Sequence, residues 1–573
     1  MARLPHGAVI RMEAVREAQE ALVGPAAASL AFAASRPIDP HNFDFLFPGL
    51  QNNPDNLLPV ARRTRDNLIR LGQSMRDTSG GDPAGDSDIP AAYTYLGQFI
   101  DHDITLETVS ATLPELLDPQ LKPLPPGQIK NKIRNLRTAG LDLDSLYGLP
   151  APRQDIKMVV GNVSPTGGTQ IPLRRPPGKT DDNDLPRERR SPDIEHDRAA
   201  LIGDPRNDEN TIVAQLHTAF LLAHNVLAGR FQSFMQARRV LRQHYQHMVI
   251  QDFLKRVCDP RIVNETVREN HVYDAMAEPF FLPLEFSVAA YRFGHTMVRG
   301  AYNFNLNFNT SGAPGTVPAT LGLLFTFTAL SGQLGGGVVT AQGFDTLPEN
   351  WIVEWENLVD AGRPFDRTRR LDTKLVEPLF ELTDTLGNII GSDALPPDPN
   401  ALNGARLAVR NLLRGYLLRM PTGQAVARAL KRKLQGVRDI PVLTPAQIVA
   451  GAASPEQENA LRESGFDGRT PLWYYILAEA AILGRGQRLG PVGSTIVAEV
   501  IVGLVRRSED SILRERGWRP TLPSARRGTF ELADLLRLAQ RLQSRPSPSG
   551  AKKKAGATKK SGAAKSSGAA RKR

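Results

Sequence analysis

The sequence is poor in cysteine, in long apolar runs and in strand-like alternation. Cys258 is the single cysteine among 573 residues. No internal disulfide can form, so stability must come from packing, a bound metal or a cofactor. Cys258 itself reads as a small buried hydrophobe. The longest uncharged stretch, 300–344, is broken by Asn, Thr, Ser, Pro and Gly, and its sustained apolar part, 319–330, holds only 12 residues. That is too short to span a bilayer. The weak apolar run 21–35 lies behind Glu13, Glu17 and Glu20, where a secretory signal would carry positive charge. The expectation is a soluble chain, cytoplasmic or exported by a non-classical route. No alternating apolar/polar segment of any length and no internal repeat is present.

Acidic residues are missing from the last 22 positions, 552–573, which hold seven Lys and two Arg. That tail carries +9 of the formal +11, so the rest of the chain is nearly neutral at +2. The basic balance therefore describes a low-complexity Lys/Ala/Gly/Ser tail, expected as disordered over 546–573. It offers a weak contact to nucleic acid or another anionic surface. Residues 1–40, Ala-rich and without a firm anchor, read as a flexible arm, leaving 41–545 as the folded body.

Apolar residues recur at helical spacing over 56–76 and, after Pro90, over 91–104. The stretch 210–254, free of proline, reads as the longest helix. Further helices are expected over 283–298, 405–419, 472–483 and 496–505, with a long loop at 162–192 and a Pro-rich connector at 393–403. The fold class is all-α, with long surface loops and little β structure.

Five segments could carry chemistry. In Gln98-Phe99-Ile100-Asp101-His102-Asp103, Gln98 and His102 share a helical face, bordered by Asp101, and two acids flank a histidine amid apolar neighbours. The run from Thr138 to Gly148 includes Gly140, Asp142 and Asp144 and offers alternating oxygens of the kind a hard cation takes, without the spacing of an EF-hand. Asp204-Pro205-Arg206-Asn207-Asp208-Glu209 leads straight into a helix. Arg292 and His295 share a face, and Gly294 removes a side chain beside the histidine. Asn411 and Arg414 form a polar pair on one helix. Read alone, each also fits an ordinary role: a capped helix end, an Asp-rich turn, a surface ion pair, a satisfied core histidine, a part-exposed helix.

Together and in this order, the five segments resemble the animal-type (peroxidase–cyclooxygenase) haem peroxidases across roughly residues 40–540, as a bacterial-like member without the disulfides of the secreted animal forms. The resemblance implies haem b and Ca²⁺ as cofactors, hydrogen peroxide and a halide, thiocyanate or small aromatic donor as reactants, and a place in the response to oxidative stress. It implies that His102 is the distal general acid–base, Arg206 the distal arginine and Gln98 a lining residue of the peroxide pocket. His295 would be the proximal iron ligand, with Asn411 accepting the proton of its other ring nitrogen. Arg292 and Arg414 would lie where a guanidinium meets a haem propionate. Asp101 and Glu209 match carboxylates that can be esterified to haem. Asp103, Thr138, Gly140, Asp142 and Asp144 match a calcium site.

Asn210 stands where one branch has a haem-linked methionine, so a strongly chlorinating enzyme is disfavoured. His217 and His224 are assigned to packing, and His244 and His247 stand three apart on one helix. Two other readings are carried. A fatty-acid oxygenase of the same fold would want tyrosine three residues before the proximal histidine, where this chain has Arg292. A haem-binding or adhesive protein would keep the fold without turnover.

Overall fold

Pro90 ends a short strand, Asp86–Pro90, and the chain enters helix α1, Ala92–Ile104, directly after it. No side chain caps this helix. Its first amides are met from outside instead: Ala91 N–H donates to Asp366 O at 2.8 Å and Ala92 N–H to Leu358 O at 3.0 Å. Nearly every face of α1 is buried, so it runs through the interior rather than over it. The computed structural model describes residues 41–542 apart from 80, 108–112, 167–173, 193–195, 329–333, 335–342, 382–402 and 404. The expected arm at 1–40, the tail at 546–573 and nearly all of the connector at 393–403 lie outside the described residues.

The pattern read as one helix over 210–254 is two. Helix α2, Thr211–Phe231, ends at Gln232 in a left-handed conformation (φ 52°), and α3, Phe234–Met248, restarts on a Ser233 cap. Gln232 rather than glycine at the break is why sequence periodicity runs through it. Helix α2 is long and apolar enough to cross a membrane, yet 78% of that apolar window is buried inside the fold. It packs on α1 and α3, with Phe99 of α1 stacked on Phe220 of α2 at 4.5 Å and 2°.

The helix expected over 283–298 is not an α-helix. A wide π-turn, Glu285–Ala289, is followed by a tight 3₁₀ segment, Ala290–Met297, with the ladder broken at Ala289 (φ −128°, ψ −69°). Neighbours impose this. Glu285, fully buried, accepts from Leu46 N at 2.7 Å and Phe47 N at 3.3 Å. Tyr291 donates its hydroxyl to Gly97 O of α1 at 3.2 Å. In a 3₁₀ segment side chains three apart eclipse, so Arg292 and His295 point the same way more strictly than in an α-helix.

Helix α4, Leu407–Leu417, covers this segment, together with α5, Leu472–Ile482, and α6, Pro491–Arg507. Helix α4 also lies against the helix Arg62–Gln73, where a Cβ on Gly72 would sit 2.8 Å from Val409 Cγ2, so only glycine allows the approach. A small sheet ties the two halves of the chemistry together. His41–Asp44 pairs antiparallel with Arg134–Asn135, which leads into the oxygen-rich loop, and parallel with Phe281–Pro283, which leads into the His295 segment. The all-α reading holds, and the sheets are two or three strands wide.

Candidate functional site

His102 sits near the end of α1, 3% exposed. Its Nδ1 lies 2.8 Å from Asn207 Oδ1. Burial, and then the Arg206 charge, hold its pKa below the ordinary histidine value. The ring is therefore neutral near pH 7. Asn207 Oδ1 faces Nδ1, a contact that suits a ring proton on Nδ1 and a lone pair on Nε2.

Arg206 and Asn207 belong to the 3₁₀ turn Pro205–Asp208, capped by Asp204 and started by Pro205. Arg206 donates from Nη2 to Asp204 Oδ2 at 2.7 Å and from Nε to Asp204 Oδ1 at 3.0 Å, and also reaches Thr105 O. Arg137 pairs with the same Asp204. Burial alone would raise the Asp204 carboxyl, but the Arg206 and Arg137 charges override it and hold it well below the usual carboxylate range. Two cations on one buried anion leave positive charge beside His102.

Gln98 is gripped at both ends of its amide. Its Nε2 donates to Glu209 Oε2 at 3.0 Å and its Oε1 accepts from Asn210 Nδ2 at 3.0 Å. Asn210, singled out for the methionine it replaces, is also the N-cap of α2. Asp101 accepts from Thr105 Oγ1 at 3.0 Å. Gln98, Asp101, His102, Arg206 and Glu209 are thus carried by α1 and the turn packed against it.

On the other side, Asn411 of α4 bridges the eclipsed pair. Its Nδ2 is 3.0 Å from His295 Nδ1, and its Oδ1 accepts from Arg292 Nη1 at 2.7 Å. This reverses the expected contact. A guanidinium can only donate, so it takes the amide oxygen and leaves the amide nitrogen facing the ring. Asn411 therefore gives a hydrogen bond to His295 Nδ1 rather than accepting one. A Cβ built on Gly294 meets nothing within 4 Å, so there is open space beside His295, as its position in the sequence suggested. Arg292 is held down to about 10 by burial and then by Arg414. Arg414 pairs with Glu107. The described site thus gathers two guanidiniums near one carboxylate.

Asp103 points to the oxygen-rich loop. It is fully buried, and it accepts from Leu143 N at 3.1 Å and Ser145 N at 3.4 Å. Leu143 is left-handed (φ 59°), a conformation apolar branched residues rarely adopt. Asp144 accepts from Thr138 N at 2.6 Å. A Cβ on Gly140 would lie 2.3 Å from Asp142 Oδ2, so glycine lets that carboxylate fold in. Among the described residues, Thr138 Oγ1 and Asp142 Oδ1 are buried without a hydrogen-bond partner. Burial, then Asp144 and Asp142, push Asp103 up to about 8; burial, against the pull of Arg242, pushes Asp142 up to about 6. Among the described residues no group of three His, Cys, Asp or Glu side chains forms a metal cage unaided. Any ion at this loop would need hydroxyl and carbonyl oxygens as well, the usual diet of a hard cation.

The remaining histidines separate cleanly. His224 bonds the Tyr147 hydroxyl through Nδ1, and its Nε2 donates to the Ile156 carbonyl. His244 Nε2 accepts from Thr521 N at 2.9 Å and Leu522 N at 3.1 Å, which occupies it structurally. Cys258 is buried, and burial pushes its thiol up. His217, expected as packing, instead lies 3.0 Å from Asn207 Nδ2 through its Nδ1. Asn207 and His217 were not legible as site residues, because their contact with His102 depends on the turn that brings residue 207 over α2.

Comparison with known proteins agrees with this arrangement. Residues 127–322 match the animal haem peroxidase family. Human thyroid peroxidase is 29% identical over 138 residues, which is 22% of this chain and 14% of that protein. A peroxidase-like protein of Margaritifera margaritifera is 29% identical over 116 residues, 18% of this chain and 14% of its own length. The matching stretches thus span about a seventh of these curated relatives. The solved structure of peroxidase A from Dictyostelium discoideum aligns over 88% of this chain and 93% of its own at TM-score 0.50 and 17% identity, a likeness of fold. The matched run takes in the loop at 138–144, Arg206, Glu209 and His295; over residues 127–322 the chain is similar to the animal haem peroxidase family, and its fold is like that of peroxidase A.

Proposed function

We propose that the chain is a haem peroxidase that reduces hydrogen peroxide and oxidises a halide, thiocyanate or small aromatic donor. The observation that carries this reading is a pair of imidazoles, His102 and His295, each anchored through Nδ1 by an asparagine, on two segments that pack together. The donor set suits haem b. For Nε2 to serve as the ligand atom the His295 proton must lie on Nδ1, so haem binding would require the Asn411 amide to turn its oxygen to the ring; Gly294 leaves space beside it. Arg292 and Arg414 would hold the propionates. Asp101 and Glu209 would be the carboxylates able to form ester links.

Haem, when bound, supplies the redox iron; the protein positions and tunes it. His102 takes a peroxide proton at Nε2 and returns it to the departing oxygen. Arg206, oriented by Asp204, stabilises the negative charge that develops there. Gln98, its amide fixed by Glu209 and Asn210, holds the reactant in place. The test is a Soret band together with guaiacol oxidation in the haem-loaded protein. A band without turnover would support a binding protein instead. Oxygen uptake with linoleate and no added peroxide would replace the reading with the oxygenase one.

We also propose Ca²⁺ at Asp103, Thr138, Gly140, Asp142 and Asp144. The crowded carboxylates and the two partnerless oxygens support it, since a divalent ion offsets the repulsion and satisfies both. Calcium at about a hundred times its dissociation constant would then add about 2.7 kcal/mol of stability. Thermal melting should rise with calcium in wild type and fall with chelator, and Asp103→Asn should blunt both shifts. A melting temperature indifferent to calcium would count against the site.

A further inference from the structure

His102, Asn207 and His217 form one hydrogen-bonded chain in the interior. Asn207 and His217 are fully buried. The contacts are 2.8 Å from His102 Nδ1 to Asn207 Oδ1 and 3.0 Å from Asn207 Nδ2 to His217 Nδ1. Burial holds His217 down to about 3, so this ring is neutral. Its Nε2 is buried with no partner among the described residues, and its ring meets Phe99 edge-on at 5.9 Å.

An amide between two imidazoles has two orientations, and they are not equivalent. With its oxygen toward His102, Asn207 demands the proton on His102 Nδ1 and leaves Nε2 as a base. With its nitrogen toward His102, it demands the opposite tautomer, and Nε2 then carries a proton it cannot exchange for another. What distinguishes the two orientations is the group on the far side of the amide. Satisfying buried polar atoms needs only some partner for each. It does not need a second histidine presenting a lone pair to the amide nitrogen.

We propose that Asn207 and His217 are positioning residues: His217 Nδ1 accepts from the Asn207 amide, which keeps the amide oxygen on His102 and so fixes His102 as the Nδ1–H tautomer with a basic Nε2. The proposal rests on the peroxidase reading for its use, but not for its measurement.

The tautomer is read in the haem-free full chain labelled with ¹⁵N-histidine, by long-range proton–nitrogen correlation, with His102 assigned by its loss in His102→Gln. Wild type should show His102 protonated at Nδ1 and His217 protonated at Nε2. Asn207→Ala and His217→Phe should each convert His102 wholly or partly to the Nε2–H form. Asn207→Asp, which can accept from His102 but not donate to His217, should restore the His102 tautomer while moving the His217 proton to Nδ1. In the haem-loaded protein, cyanide association needs a base to take the proton of HCN. It should slow at least about tenfold in Asn207→Ala and recover in Asn207→Asp. A wild-type His102 found protonated at Nε2 overturns the proposal, as does a tautomer unmoved in both Asn207→Ala and His217→Phe. A protein that shows the expected tautomers but no Soret band would defeat the peroxidase reading and leave this one standing.

Discussion

His102→Ala should take up haem as wild type does and react with hydrogen peroxide about 10²–10⁴-fold more slowly, the range a positioned general acid–base contributes. The argument is local. Gln98, which shares the face of α1 with His102, has no titratable group, and its amide is committed to Glu209 and Asn210. Asp101, one residue away, spends a carboxylate oxygen on Thr105. Arg206 stays positively charged and can stabilise charge without moving a proton. The measurement is stopped-flow absorbance in the Soret region against peroxide concentration. Equal second-order rate constants in wild type and variant would refute the role.

The same shift fixes the pH profile. Burial and Arg206 hold His102 below its ordinary value, so the basic form is fully present around neutrality and is lost as pH falls through the lowered value. The rate constant should be flat from about pH 7 to 8 and decline only below about 6.5, the unperturbed histidine value. A profile still rising above neutrality would contradict it.

The second large effect is on cofactor retention. His295→Ala should lose stable haem, with affinity reduced by more than the roughly 10–100-fold that outer partners of a metal ligand are worth. Asn411→Ala should fall within that 10–100-fold range, because it removes the hydrogen bond to Nδ1 and releases Arg292 at once. Added imidazole should partly restore the spectrum of His295→Ala. The volume vacated by the deleted His295 ring is the space it would fill. Titration of haem into the apoprotein reads all three, and an unchanged Soret spectrum in His295→Ala would rule out the ligand assignment.

The helix carrying His102 was legible because Pro90 and the apolar spacing mark its start, and the structure begins it at Ala92. The turn carrying Arg206 was legible as a capped start, Asp204 then Pro205. What the order of residues could not carry was anything decided by a neighbour far along the chain. The 3₁₀ form of Ala290–Met297 follows from Glu285 reaching residues 46 and 47 and Tyr291 reaching residue 97. The direction of the Asn411 amide follows from Arg292, 119 positions away. Periodicity registers which face is buried and says nothing about which end of an amide is already taken.

Asp204 serves two masters. Arg137, the residue just before Thr138, and Arg206, beside His102, both bind its carboxylate. Energies assigned to either arginine singly will therefore not sum. Deleting one hands the whole anion to the other, whereas deleting Asp204 strands the buried Arg137 and the half-buried Arg206 at once. A double-mutant cycle across Arg137 and Arg206 should return a coupling on the order of 0.5–3 kcal/mol, as expected for groups in one charged network. The oxygen-rich loop and the turn beside His102 are thus energetically coupled through one carboxylate, with Arg137 and Asp204 67 positions apart.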